Sequence, residues 1–322
     1  MLLGQLNSIS FCCINYVVYH KSNYFIGYFY MNKSQETVSL ILGSGGARGL
    51  AHIGVIKWLE ENNYRIQSIS GCSMGALIGG IYAAGKLDIY TDWVRAITKT
   101  DMLRLLDISF GKSGMVKGEK IINTLKDLVG DQLIEDLPIT FTAVASDIVN
   151  EKEIWLNKGP LFDAIRASIS LPFFFTPAKY DGVELLDGGI LNPVPIAPTF
   201  SDDTELKIAV NLGGPVDKTI VASTQKKKQE PVEPTILEKI SQFIDTIHGP
   251  DLKTDSGTLG MLDIADQSFD AMQGTIARQK LAAYPPDVLI ELPRNLCGTL
   301  EFDRADEMIE TGYRLAAEKL TK

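Results

Sequence analysis

From Glu36 onward the chain alternates short apolar runs with stretches whose apolar residues recur at helical spacing. Val38–Leu42 is a continuous apolar run of strand length, and Leu50–Glu61 follows it with Leu50, Ile53, Val55, Ile56 and Leu59 on one helical face. Ile66–Ile69 reads as a second strand and Met74–Gly85 as a helix built largely of small residues. Strand, helix, strand, helix in that order predicts a parallel sheet with crossover helices on its faces. Further helices are expected at Leu87–Leu106, with Trp93, Ile97 and Leu103 available for packing, at Glu119–Val129 and at Phe162–Ile169. Further strands are expected at Ile139–Ala145, Ile154–Leu156, Val183–Leu186 and Lys207–Leu212. Long helices at Thr235–Ile247 and Leu259–Ala282, a last strand at Asp287–Leu292 and an amphipathic helix at Phe302–Leu320, with Asp303 as N-cap, complete the pattern. The fold class is α/β, three layers with a mainly parallel central sheet and helices on both faces, and a site is expected at the carboxyl ends of its strands.

Three stretches break this pattern. Residues 1–30 hold eight aromatic residues but a single formal charge, Lys21. Their longest nearly apolar piece, Ile9–Tyr19, is too short to span a bilayer, and no basic leader or small-residue cleavage site marks a signal peptide. Met31 is read as the functional start and residues 1–30 as an extension, with a membrane-surface anchor as the other reading. Asp107–Gly118 is loop-like, with three glycines beside the expected site. Pro215–Pro234 carries Lys226, Lys227 and Lys228 and reads as a mobile, solvated loop. The expected layout is a catalytic region at 36–212, a loop and helical cap region at 213–258, and C-terminal helices with the last strand of the same domain at 259–322.

Composition narrows the function only a little. A net charge of −9 argues against nucleic acid as a partner. Cys12, Cys13, Cys72 and Cys297 form neither a disulfide framework nor a zinc motif, which points to a reducing, cytoplasmic compartment, peripheral at a membrane where contact is needed.

Chemistry concentrates in two glycine-lined turns, each between an apolar run and a helical pattern. Gly71-Cys72-Ser73-Met74-Gly75 matches G-x-S-x-G, in which a serine on a sharp strand-to-helix turn is pushed out of the backbone envelope. Gly71 and Gly75 keep side chains clear of that turn, and Cys72 reads as a small apolar neighbour. Gly43-Ser44-Gly45-Gly46-Ala47-Arg48-Gly49 is a loop able to aim several backbone N–H groups at a developing oxyanion, with Arg48 adding a fixed positive charge. Nucleotide-phosphate readings fail on spacing. Arg48 stands where a dinucleotide fingerprint needs glycine, and Leu106 stands where a P-loop ending in Gly111-Lys112-Ser113 needs its first glycine.

These two turns, with Leu186-Asp187-Gly188-Gly189-Ile190-Leu191-Asn192-Pro193 and its approach Ala164–Pro172, resemble the patatin-like phospholipase family, strongly over Val38–Leu212. The resemblance implies a Ser–Asp dyad of Ser73 and Asp187, with Gly43, Gly45, Gly46, Ala47 and Arg48 forming or shaping the oxyanion loop. Gly188 and Gly189 are expected to permit positive φ after the acid. The implied substrate is a lipid or acyl ester, met in transient contact with a membrane surface, with no metal or cofactor; the sequence leaves the oligomeric state open. A general carboxylesterase or thioesterase, and a silent lipid-binding protein of the same fold, stay open beside it. Of the three histidines, only His248 follows the acid as an α/β-hydrolase triad requires. His52 reads as a helix-face histidine with a local hydrogen bond. Asp147 and Asp181 are the other acidic turn residues, and Leu171–Phe175 is either core packing or an acyl-chain wall.

Overall fold

A computed structural model describes residues 35–105, 118–172, 174–219 and 261–321. The expectations for residues 1–30, the loop before Gly118, the lysine run, the Thr235–Ile247 helix and His248 lie outside the described residues. Eight strands among those residues form one sheet: β1 (Glu36–Leu42), β2 (Tyr64–Cys72), β3 (Thr140–Asp147), β4 (Lys152–Leu156), β5 (Ala178–Tyr180), β6 (Val183–Asp187), β7 (Leu206–Gly214) and β8 (Val288–Pro293). Their order is β5-β6-β3-β2-β1-β7-β8, with β4 also paired to β3. The run from β3 to β8 is parallel, while β4 and β6 pair antiparallel to β3 and β5 antiparallel to β6. β5 and the 3-10 turns had no counterpart in the hydropathy pattern.

The strands sort their side chains by alternation. Leu40, Leu42, Ile208, Val210, Ile290 and Leu292 join the large core, which also holds α1 (Ala51–Glu61), α2 (Met74–Ala83), α6 (Leu161–Ser168) and α8 (Ala305–Leu320). Ile41 and Ala209 belong to a separate cluster with Val194, Ile196 and Ala277, the last on α7 (Met261–Ala283). Helices thus cover both faces. α1 and α8 cross with almost no space between them: a Cβ on Gly54 would lie 1.9 Å from the Ile309 carbonyl, and one on Gly312 would lie 1.9 Å from that of Ala51.

Two helix expectations change. Leu87–Leu106 is two helices, α3 (Leu87–Ala96) and α4 (Lys99–Leu105). Ile97 is extended, and Thr98 and Asp101 close a reciprocal cap, Asp101 N to Thr98 Oγ1 and Thr98 N to Asp101 Oδ2, both 3.2 Å. Asp303 is not the cap of α8. It sits inside a 3-10 turn, Phe302–Arg304, and the capping position falls to Arg304, which makes no side-chain cap bond. α5 (Glu119–Val129) forms as expected. Among the described residues no helix is long and apolar enough to cross a membrane.

Candidate active site

β2 runs straight into Ser73, which begins α2 with φ 54° and ψ −122°. A non-glycine residue there stores about 1–3 kcal/mol of backbone strain, which the surroundings must hold. They do so closely. A Cβ on Gly75 would lie 2.0 Å from the Leu42 carbonyl oxygen, and one on Gly71 would lie 2.5 Å from that of Gly75. Ser73 itself is 9% exposed.

β3 brings the acid to the serine. Cys72 is opposite Val144 on one side of β3, and Asp187 is opposite Ala145 on the other. Asp187 is fully buried; its Oδ1 accepts from Gly189 N at 2.7 Å and lies 3.9 Å from the Cys72 Sγ, while Oδ2 has no hydrogen-bond partner among the described residues. Burial pushes its pKa up to about 6, against the pull of the Ser73 hydroxyl, the Gly189 N–H and the Cys72 thiol. The Ser73 hydroxyl is therefore beside the carboxylate without closing an ordinary bond onto Oδ2. Burial and the neighbouring Asp187 and Glu153 charges push the Cys72 thiol well up, so it stays protonated and unreactive. Gly188 and Gly189 do not adopt positive φ. At Gly188 the reason for glycine is lack of space, a Cβ there lying 2.1 Å from the Val144 backbone oxygen; one on Gly189 would meet side-chain ends, Gln273 Nε2 at 2.2 Å and Ser44 Oγ at 2.7 Å.

The glycine loop leaves β1 at Gly43 and winds into a 3-10 turn, Gly46–Leu50. Two of its expected oxyanion donors are already spent. Gly43 N donates to Val210 O at 3.0 Å and Ala47 N to Thr299 O at 2.9 Å. The N–H groups of Gly45 and Gly46 donate to no backbone carbonyl among the described residues. Arg48 is 4% exposed and acts on the loop from within: Nε donates to Gly45 O at 3.1 Å, one terminal nitrogen donates to Arg294 O, and the other lies 3.5 Å from Asp270 Oδ1. In a trans peptide the C=O and N–H point opposite ways. Pinning the Gly45 carbonyl therefore turns the Gly46 N–H away from Arg48. Gly46, at φ 55°, occupies the left-handed region. His52 does for the Gly43 carbonyl what Arg48 does for that of Gly45. Its Nε2 donates to Gly43 O at 2.9 Å while Ser44 N donates the other way to Pro193 O at 2.9 Å. Burial lowers its pKa to about 4, only partly offset by the Gly43 bond, so the ring is neutral with the proton on Nε2 and a buried Nδ1 that has no partner among the described residues.

Other groups bond around this centre in ways the motif spacing does not reveal. Ser168 Oγ accepts from Ser73 N at 2.9 Å across a separation of 95 residues. Gln273 Nε2 donates to Ser44 Oγ at 3.2 Å. Glu153 accepts from Asn192 Nδ2 at 2.8 Å and pairs with Lys280 at 2.5 Å; burial works against its charge, but these bonds outweigh it and hold its carboxyl below the usual range. Asn192 stood in the acid motif, whereas Lys280 has no local signature. The other acidic turn residues serve their own turns. Asp147 Oδ1 accepts from Val149 N and Asn150 N, both at 3.1 Å, and Asp181 is exposed at φ 46°. Phe175 packs with Leu171 and Phe174 in a small cluster separate from the main core, with the Arg166 guanidinium 5.5 Å from its ring centre.

A family profile described as patatin-like phospholipase matches residues 40–200, a span of half the chain. An uncharacterized NTE family protein of Mycobacterium tuberculosis is 37% identical over an alignment of 331 positions, covering 89% of this chain and 92% of that protein. Neuropathy target esterase sws of Drosophila melanogaster is 28% identical over 286 positions, which cover 86% of this chain but 19% of that longer protein. The crystal structure of VipD from Legionella pneumophila aligns over 94% of this chain and 69% of its own, at a TM-score of 0.45 and 14% identity. By profile match and by identity over nearly its whole length, the chain belongs to the patatin-like phospholipase family.

Proposed function

We propose that the protein is a serine acyl hydrolase of phospholipase A or lysophospholipase type, cleaving carboxylic esters of lipids through a dyad of Ser73 and Asp187. The observation that carries this reading is the unpartnered Oδ2 of a buried Asp187 beside a serine on a strained elbow. That oxygen is an acceptor in a site with little else to satisfy it. In the first half-reaction Asp187 takes the Ser73 proton as Oγ attacks the ester carbonyl, and then gives it to the departing alcohol. In the second, Asp187 activates water against the acyl-enzyme. The Gly45 and Gly46 N–H groups stabilise the oxyanion, and Arg48 and His52 hold the loop that presents them. The words phospholipase and esterase in the names of the family and of a relative support an ester of a lipid as substrate.

A fluorophosphonate ester should add once, at Ser73, and stop hydrolysis of lysophospholipid. Mass spectrometry of the digested adduct reads the site; an adduct elsewhere, or hydrolysis that continues after complete labelling, overturns the nucleophile assignment. The base leaves its own trace. A carboxylate lifted to about 6 makes kcat/KM fall below that pH, as Asp187 gains a proton and can no longer accept one from serine. A limb near pH 4, about where an ordinary carboxylate titrates, would contradict the raised pKa of the base.

A further inference from the structure

Helix α6 ends at Ser168, and the chain leaves it through bonds from Ile169 N to Ile165 O at 3.0 Å and from Ser170 N to Ala167 O at 3.2 Å. The Ser168 side chain is fully buried. Its Oγ donates to Val144 O at 2.6 Å and accepts from the Ser73 N–H at 2.9 Å. Two residues on, the Ser170 carbonyl accepts from the Asp187 N–H at 2.9 Å. We infer that Ser168–Ile169–Ser170 is a positioning clamp, holding one backbone N–H of the nucleophile and one of the acid on a single tripeptide and so fixing their separation. This inference rests on the dyad proposed above.

The tripeptide is itself braced. Arg166 donates to Ser170 Oγ at 2.6 Å and to Thr176 O at 2.9 Å, and Ser170 Oγ donates back to Arg166 O at 2.8 Å. The side chains of the dyad close no ordinary bond onto Oδ2. With no ordinary bond onto that oxygen, the backbone carries much of the placement of the two groups, and the clamp grips the backbone of both. A misplacement of about 1 Å in such a site can cost about a hundredfold in rate.

The test is Ser168→Ala, with active sites counted by fluorophosphonate labelling and turnover of a short-chain nitrophenyl ester followed across pH. We expect kcat per labelled site to fall about 10- to 100-fold with KM unchanged. The acid limb should move to higher pH, because a displaced Ser73 hydroxyl no longer favours the ionised carboxylate. Ser70→Ala is the comparison: Ser70 is 1% exposed and donates to Pro195 O at 2.7 Å, but it grips neither member of the dyad. It should lower the melting temperature while leaving per-site rate and limb in place. If Ser168→Ala does not fold, Ser168→Cys, similar in shape but a weak hydrogen-bonding group, should show the same changes at several-fold size. A folded Ser168 variant with parental kcat per site and an unmoved limb overturns the clamp. Sustained turnover by Asp187→Asn overturns the dyad and the clamp with it. A dead Asp187→Asn beside an unaffected Ser168→Ala overturns the clamp alone.

Discussion

Asp187→Asn should be nearly inactive and, above pH 6, more resistant to heat than the parent. The loss of activity follows from chemistry. An amide cannot take the serine proton, and removing a triad or dyad member costs on the order of 10,000-fold or more in kcat. The gain in stability follows from the raised pKa. The folded protein holds the Asp187 proton more tightly than the unfolded chain between about pH 4 and about pH 6. That contribution is complete below the unfolded value and is lost as the pH rises through about 6. At pH 8 the fold therefore carries a buried charge that costs it on the order of 3 kcal/mol. Asparagine is neutral at every pH, keeps the acceptor for Gly189 N, and turns an NH2 group toward the Ser73 hydroxyl. Melting temperatures of the two proteins should diverge at pH 8, with the variant higher, and converge near pH 4. A variant that melts below the parent at pH 8, or that still hydrolyses ester, contradicts the assignment.

Gly75→Ala should yield little or no native protein. Its Cβ would sit 2.0 Å from the Leu42 oxygen, 2.5 Å from the Leu42 carbonyl carbon and 2.9 Å from the Gly43 oxygen. None of these is the end of a flexible side chain. To make room, α2 must lift from the end of β1, and the elbow and glycine loop move with it. Overpacking against fixed backbone is one of the few mechanisms that reach losses above about 4 kcal/mol. Circular dichroism and thermal melting of the purified variant measure the outcome, and a parental melting curve would show that the two turns are not packed as described. Gly85→Ala is the natural contrast: it has positive φ but nothing within 4 Å of the new Cβ, so it strains one residue and displaces no neighbour.

The regions of the fold that were legible in the sequence are those written in local pattern. β1, α1, β2 and α2 announce themselves through apolar runs and small residues, and G-x-S-x-G marks the elbow between them. What stayed hidden depends on partners far along the chain. Nothing near Gly43 or Ala47 says that their N–H groups are taken by Val210 and Thr299. Ser168 lies in a recognisable segment, yet its hydrogen bond to Ser73 cannot be read from either end. Gly188 and Gly189 misled because glycine has two uses, positive φ and absence of volume, and composition alone does not distinguish them. The break at Thr98 is different. Thr98-x-x-Asp101 is a capping signature present in the sequence, masked by the apolar run on either side of it.

The closure of the glycine loop by Thr299 and Arg294 has a consequence for the order in which the protein is made. Arg48 and its carbonyl partner at Arg294 are 246 residues apart. α8, which presses Gly312 against α1, comes later still. A ribosome delivers the serine, the acid and the loop long before it delivers the carbonyls that hold the loop in shape. The emerging chain thus carries the serine, the acid and an unbraced glycine loop until residues 294–299 have been made.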